Sequence, residues 1–145
     1  MGSDPVPPMA EAPYTVLVID DEPDALLLLT RRLEKEGYRV VTAANGEDGL
    51  RLAQAQRPDA ILLDIMMPKM KGREVCARLK SDPATAAIPV IFLTALGLAD
   101  HIRGGMALGA EDYIVKPVSA AVLRERLMVC LARAGKPPRR PGTTG

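Results

Sequence analysis

A chain of 145 residues fits one domain and leaves no room for a second, catalytic one. Lysine and arginine number 19 against 18 aspartates and glutamates, so no overall field favours nucleic acid or an anionic membrane. No apolar stretch approaches the roughly 18 residues of a membrane span, and Cys76 and Cys130 are too few for a disulfide framework.

Met1 to Ala12 is rich in proline and small residues and lacks an apolar signal core, so 1–13 reads as a disordered leader or an expression remnant. A strand over Thr15–Ile19 runs into Asp20-Asp21-Glu22. A helix follows from Pro23 to about Glu36, with Leu26, Leu29 and Leu33 at helical spacing, Pro23 in its first turn and Gly37 as its stop. After a strand over Arg39–Ala43, Asn45-Gly46 opens a second helix carrying Leu50 and Ala53, ending near Ala55. The run Ala60–Leu63 then ends in Asp64, and Gly72 begins a third helix with Val75 and Leu79 inward. A strand over Pro89–Leu93 ends near Thr94, and a fourth helix is predicted from Ala99 to Leu108 despite Gly104-Gly105. The last strand, Asp112–Val115, ends at Lys116, and Ser119 caps a fifth helix reaching Ala132 with Leu123, Leu127 and Cys130 on one face. Residues 133–145, with Pro137, Pro138 and Pro141 among three cations, read as a flexible tail or linker after a domain over 14–132.

Strands alternating with helices imply a parallel α/β sheet, and strands apolar throughout imply helices on both faces. In such a sheet the carboxyl ends of the strands open onto one crevice. Four strand ends would therefore bring Asp20 and Asp21, Asp64, Thr94 and Lys116 together. Each has a bland reading, as a helix cap, a turn residue or a hydroxyl bonded to backbone. Capping does not explain all four falling at strand ends. Three carboxylates in a crevice repel one another and call for a cation, and oxygen-only ligands suit Mg²⁺. A carboxylate nucleophile with Mg²⁺, an ammonium and a hydroxyl suits phosphoryl transfer, giving an aspartyl phosphate. Cys76 and Cys130 fall on apolar helical stripes and read as reduced core thiols.

From about Tyr14 to Leu131 the chain resembles the receiver domain of two-component response regulators. The resemblance rests on Val16-Leu17-Val18-Ile19-Asp20-Asp21-Glu22, Leu62-Leu63-Asp64-Ile65-Met66-Met67-Pro68, Leu93-Thr94-Ala95 and Lys116-Pro117. It implies a single doubly wound five-stranded parallel sheet in the flavodoxin-like order 2-1-3-4-5. It implies that Asp64 takes a phosphoryl group from a phosphohistidine on a histidine kinase or histidine phosphotransfer protein. Mg²⁺ would be held by Asp21, Asp64 and the Met66 backbone carbonyl, with Asp20 acting through water. Lys116 and Thr94 would bind phosphoryl oxygens, Thr94 and Tyr113 would form the switch, and the fourth helix, fifth strand and fifth helix would carry the output. Such a domain is a cytoplasmic regulator rather than an enzyme, without direct nucleic-acid or membrane binding, and a homodimer is compatible with it. The downstream effector or fused output domain stays unknown. The chain departs from the family pattern at Lys71, where an acid is common, and at Val118, where an aromatic is frequent.

Four other readings compete. An aspartate-nucleophile phosphohydrolase places a second acid two residues after its nucleophile, where this chain has Met66, which cannot act as an acid or base. A mononucleotide binder would set its phosphate against the repelling Asp20-Asp21-Glu22. A scaffold that binds partners without phosphorylation, and phosphotransfer at His101, are the others. Apolar Met66 and Leu96, flanking the phosphoryl position by resemblance, predict slow dephosphorylation.

Overall fold

A computed structural model describes residues 12–67, 69–95 and 109–137. Five parallel strands, β1 (Thr15–Ile19), β2 (Arg39–Ala43), β3 (Ala60–Asp64), β4 (Val90–Thr94) and β5 (Asp112–Val115), form one sheet in the order β2-β1-β3-β4-β5. The helices described are α1 (Pro23–Lys35), α2 (Gly46–Gln56), α3 (Gly72–Ser81) and α4 (Ala120–Arg133). The helix predicted over 99–108, with Gly104-Gly105 and His101, lies outside the described residues, as does Leu96. None of the described helices is long and apolar enough to cross a membrane.

The apolar runs explain the layering. Every residue of β3 and β4 is buried, because central parallel strands are covered on both faces, whereas the edge strands β2 and β5 stay partly exposed. Successive side chains of a strand point to opposite faces. Val16, Val18, Leu62, Ile91 and Leu93 accordingly meet Leu29 and Leu33 of α1 and Leu123 and Leu127 of α4. On the other face Leu17, Ile19, Ile61, Leu63 and Phe92 meet Ala53 of α2 and Val75, Cys76 and Leu79 of α3. Burying each of the leucines contributes roughly 2 kcal/mol. Cys76 and Cys130 are both buried free thiols.

Local signals set the helix ends. Pro23 occupies the first turn of α1, and Gly37 stops it at φ +94°, with Gly37 N–H donating to Glu34 O (3.0 Å) and Tyr38 N–H to Leu33 O (3.0 Å). Asn45 caps α2 by accepting from Asp48 N–H, and Ser119 caps α4 by accepting from Val122 N–H. Four boundaries differ from the sequence reading. β3 and β4 run one residue further, through Asp64 and Thr94, because their backbones pair with Leu93 and Val115 whatever their side chains are. β4 starts at Val90 rather than Pro89. α4 ends at Arg133, and beyond it Tyr14 Oη donates to Pro137 O (2.7 Å) while Lys136 pairs with Asp59.

Candidate functional site

Each strand that ends at the crevice delivers the side chain its sequence places there. Asp20, Asp64 and Thr94 are 0%, 5% and 1% exposed, although apolar burial disfavours charge, while Asp21 is exposed. Each buried carboxylate accepts one backbone hydrogen bond from the loop that follows: Asp20 from Glu22 N–H at 3.0 Å, Asp64 from Met66 N–H at 3.1 Å. Ligand oxygens of Asp20, Asp21 and Asp64 lie within 4.8 Å of one another.

The ammonium that reaches Asp20 and Asp64 comes from the end of the edge strand β5. Lys116 N–H donates to Thr94 O at 2.7 Å, which fixes the end of β5 against the end of β4. Lys116 Nζ then lies 3.2 Å from Asp20, 3.6 Å from Asp64 and 3.9 Å from Glu22. The Lys116–Pro117 peptide is cis. Thr94 Oγ1 donates a long bond to Ala95 O at 3.4 Å. Tyr113 sits half-buried on β5 against the α2–α3 side of the core, and Met66 is 44% exposed at the mouth.

Burial pushes the Asp64 carboxyl up to about 6, and the Asp20 charge adds to it, although the Met66 N–H and the Lys116 ammonium pull the other way. For Lys116 burial acts downward, but Asp64 and Asp20 outweigh it and hold the ammonium above its ordinary range. One cation thus faces three nearby carboxylates, with Asp21 as a further acid. The donor set is hard and all-oxygen, with one exposed carboxylate at the rim, so these residues fit a Mg²⁺ ion that keeps part of its water shell.

Sequence reading missed two features. A cleft of about 420 Å³ beside Asp21 is lined by Asn45, Arg51, Met67, Lys69 and Met70, and it forms only because the loops after β2 and β3 meet. Arg32 of α1 donates to Val118 O, 86 residues away, and no local pattern announces that contact.

The sequence model of the response regulator receiver domain matches residues 16–128. A probable transcriptional regulator ycf27 of Guillardia theta is 45% identical over 127 residues, covering 87% of this chain and 48% of its own length. The chain spans about half the length of the curated relatives it matches. Among solved structures, a putative response regulator from Chloroflexus aurantiacus superposes with a TM-score of 0.81 at 35% identity, covering 83% of this chain and 99% of that one. The receiver domain of a sensor histidine kinase from Pseudomonas aeruginosa, which has a magnesium ion coordinated in its active site cleft, gives 0.78 at 30% identity, with coverage of 83% and 99%. The match over most of the chain, on a sheet of this order with acids at these strand ends, makes the chain a member of the response regulator receiver domain family, the phosphoacceptor domains of two-component signalling.

Proposed function

We propose that Asp64 is the phosphoacceptor and that the crevice around it is the site of transfer. The observation that carries this reading is a carboxylate 5% exposed, held up to about 6, 3.6 Å from the Lys116 ammonium and clustered with Asp20 and Asp21. An Asp64 carboxylate oxygen attacks phosphorus of a phosphohistidine on a histidine kinase or phosphotransfer protein. The new O–P bond forms as the N–P bond breaks, and the imidazole leaves with the bond's electron pair and takes up a proton. Little covalent work falls to the protein, so positioning and charge neutralisation dominate.

Asp21, Asp64 and the Met66 carbonyl would hold Mg²⁺, with Asp20 reaching it through water. When bound, the ion neutralises oxygen charge on the carboxylates and the phosphoryl group. Lys116 supplies a cation to the phosphoryl oxygens. Thr94 contributes its hydroxyl, whose present bond of 3.4 Å is weak enough to exchange for a phosphoryl oxygen. Thr94 and Tyr113, on the neighbouring strands β4 and β5, carry the change outward as the switch pair. The output leaves through β5, α4 and the segment over 99–108. The domain then regulates another protein rather than turning over a substrate of its own, and we assign it no nucleic-acid contact. Relatives of about twice the matched length, named as transcriptional regulators, support transcription as the eventual readout, exercised outside the matched span. Two buried reduced thiols fit a cytoplasmic setting.

Intact-mass spectrometry after treatment with acetyl phosphate and Mg²⁺ tests the assignment. The parent protein gains one phosphoryl group and Asp64→Asn gains none, because the amide keeps the shape and lacks the nucleophile. An adduct of equal yield on Asp64→Asn protein removes Asp64 from the role.

A further inference from the structure

Lys116 is carried by a loop, and its ammonium has to enter the acidic crevice from there. Its N–H is fixed to Thr94 O, but the chain then leaves the sheet through Pro117, Val118 and Ser119 before α4 starts at Ala120. From the third turn of α1, the guanidinium of Arg32 reaches across, and its Nη1 donates to the Val118 carbonyl. The Val118 side chain packs against the cluster shared by α1 and α4, so the span that Arg32 bridges is set by core packing. The same helix begins directly after Asp20, Asp21 and Glu22. One rigid element therefore carries the acidic loop at its amino end and grips the Lys116 loop further along. A charged, forked donor on a carbonyl is well suited to that grip.

We propose that Arg32 is a positioning residue: by holding the Val118 carbonyl it sets how deeply the Lys116 ammonium enters the crevice, and thereby balances metal binding against phosphoryl binding. The proposal rests on the reading of Asp64 as phosphoacceptor. Its physical content is a pair of opposite signs. The ammonium lies 3.2 Å from Asp20 and 3.6 Å from Asp64, so it competes with a divalent cation for those carboxylates. Toward a phosphoryl anion the same ammonium is an attraction. Slackening the loop lets it drift outward, which frees the carboxylates for Mg²⁺ and deprives the phosphoryl group of a partner.

The test titrates Mg²⁺ alone, then beryllofluoride at saturating Mg²⁺, into the parent, Arg32→Met, Arg32→Lys and Lys116→Ala proteins, with thermal melts alongside. In Arg32→Met, Mg²⁺ should bind about threefold tighter and beryllofluoride about tenfold weaker, the direction Lys116→Ala should show in larger measure. Arg32→Lys, which keeps a donor, should recover much of the beryllofluoride affinity, and it carries the same signs if Arg32→Met does not fold. A purely structural Arg32 would lower the melting temperature and shift both affinities together. Parallel shifts, or affinities equal to the parent's, overturn the proposal while leaving Asp64 in place. A parent protein that binds no beryllofluoride overturns the phosphoacceptor reading and this proposal with it.

Discussion

Asp64 carries a measurable cost in the metal-free protein. Burial holds its carboxyl up to about 6 in the fold against about 3.9 in an unfolded chain, so between those values the native state binds the extra proton. The contribution of Asp64 to stability is then greatest below about pH 4 and is lost as pH rises through about 6, by at most about 3 kcal/mol and less where solvent at the cleft mouth screens the charge. Asp64→Asn should therefore raise the melting temperature of metal-free protein at pH 7.5 and flatten its dependence between pH 5 and 7. A variant melting at or below the parent at pH 7.5 would contradict this. Mg²⁺ affinity of the parent should climb through about pH 6 as the competing proton leaves, which calorimetry at two pH values reads directly. The Met66 side chain, exposed beside Asp64, offers no strong hydrogen bond that could orient an attacking water. Met66→Asn should shorten the phosphoryl lifetime several-fold, measured as decay after the donor is removed, and unchanged decay would show that side chain to be irrelevant to hydrolysis.

At the scale of elements, α3 is seated on the strand it follows. A Cβ on Gly72 would lie 2.4 Å from Asp64 O and 2.6 Å from Ile65 Cα, both backbone atoms that no rotamer change can move. Gly72 N–H also donates to Ile65 O at 3.1 Å, so the helix start and the loop after β3 are one unit. Gly72→Ala should cost about 1–3 kcal/mol in urea denaturation, and it should weaken Mg²⁺ binding because the displaced backbone is the one that holds Asp64. A variant as stable as the parent would mean the loop relaxes freely. The sequence showed Gly72 as a helix start, a local fact. It could not show that the absent side chain makes room for Asp64's own backbone. The other end of the sheet is tied just as non-locally, by Lys80 of α3, which donates to Ile88 O at 2.8 Å and pairs with Glu111 at 3.1 Å.

Across the whole molecule, protection from hydrogen exchange should follow burial. The amides of β1, β3 and β4, covered on both faces, should exchange only by global opening, and those of β2 and β5 earlier. Element order and the residues at each strand end were legible in the sequence, because an apolar run that stops at Asp20, Asp64, Thr94 or Lys116 is a property of neighbouring residues. The sheet order came from resemblance, since no local spacing states which strands are adjacent. Only the tertiary structure placed the Lys116 ammonium 3.2 Å from Asp20 across 96 residues, and Arg32 on Val118 across 86. Such meetings depend on strand order, helix packing and loop path together, and chain sequence fixes them only through the fold it makes.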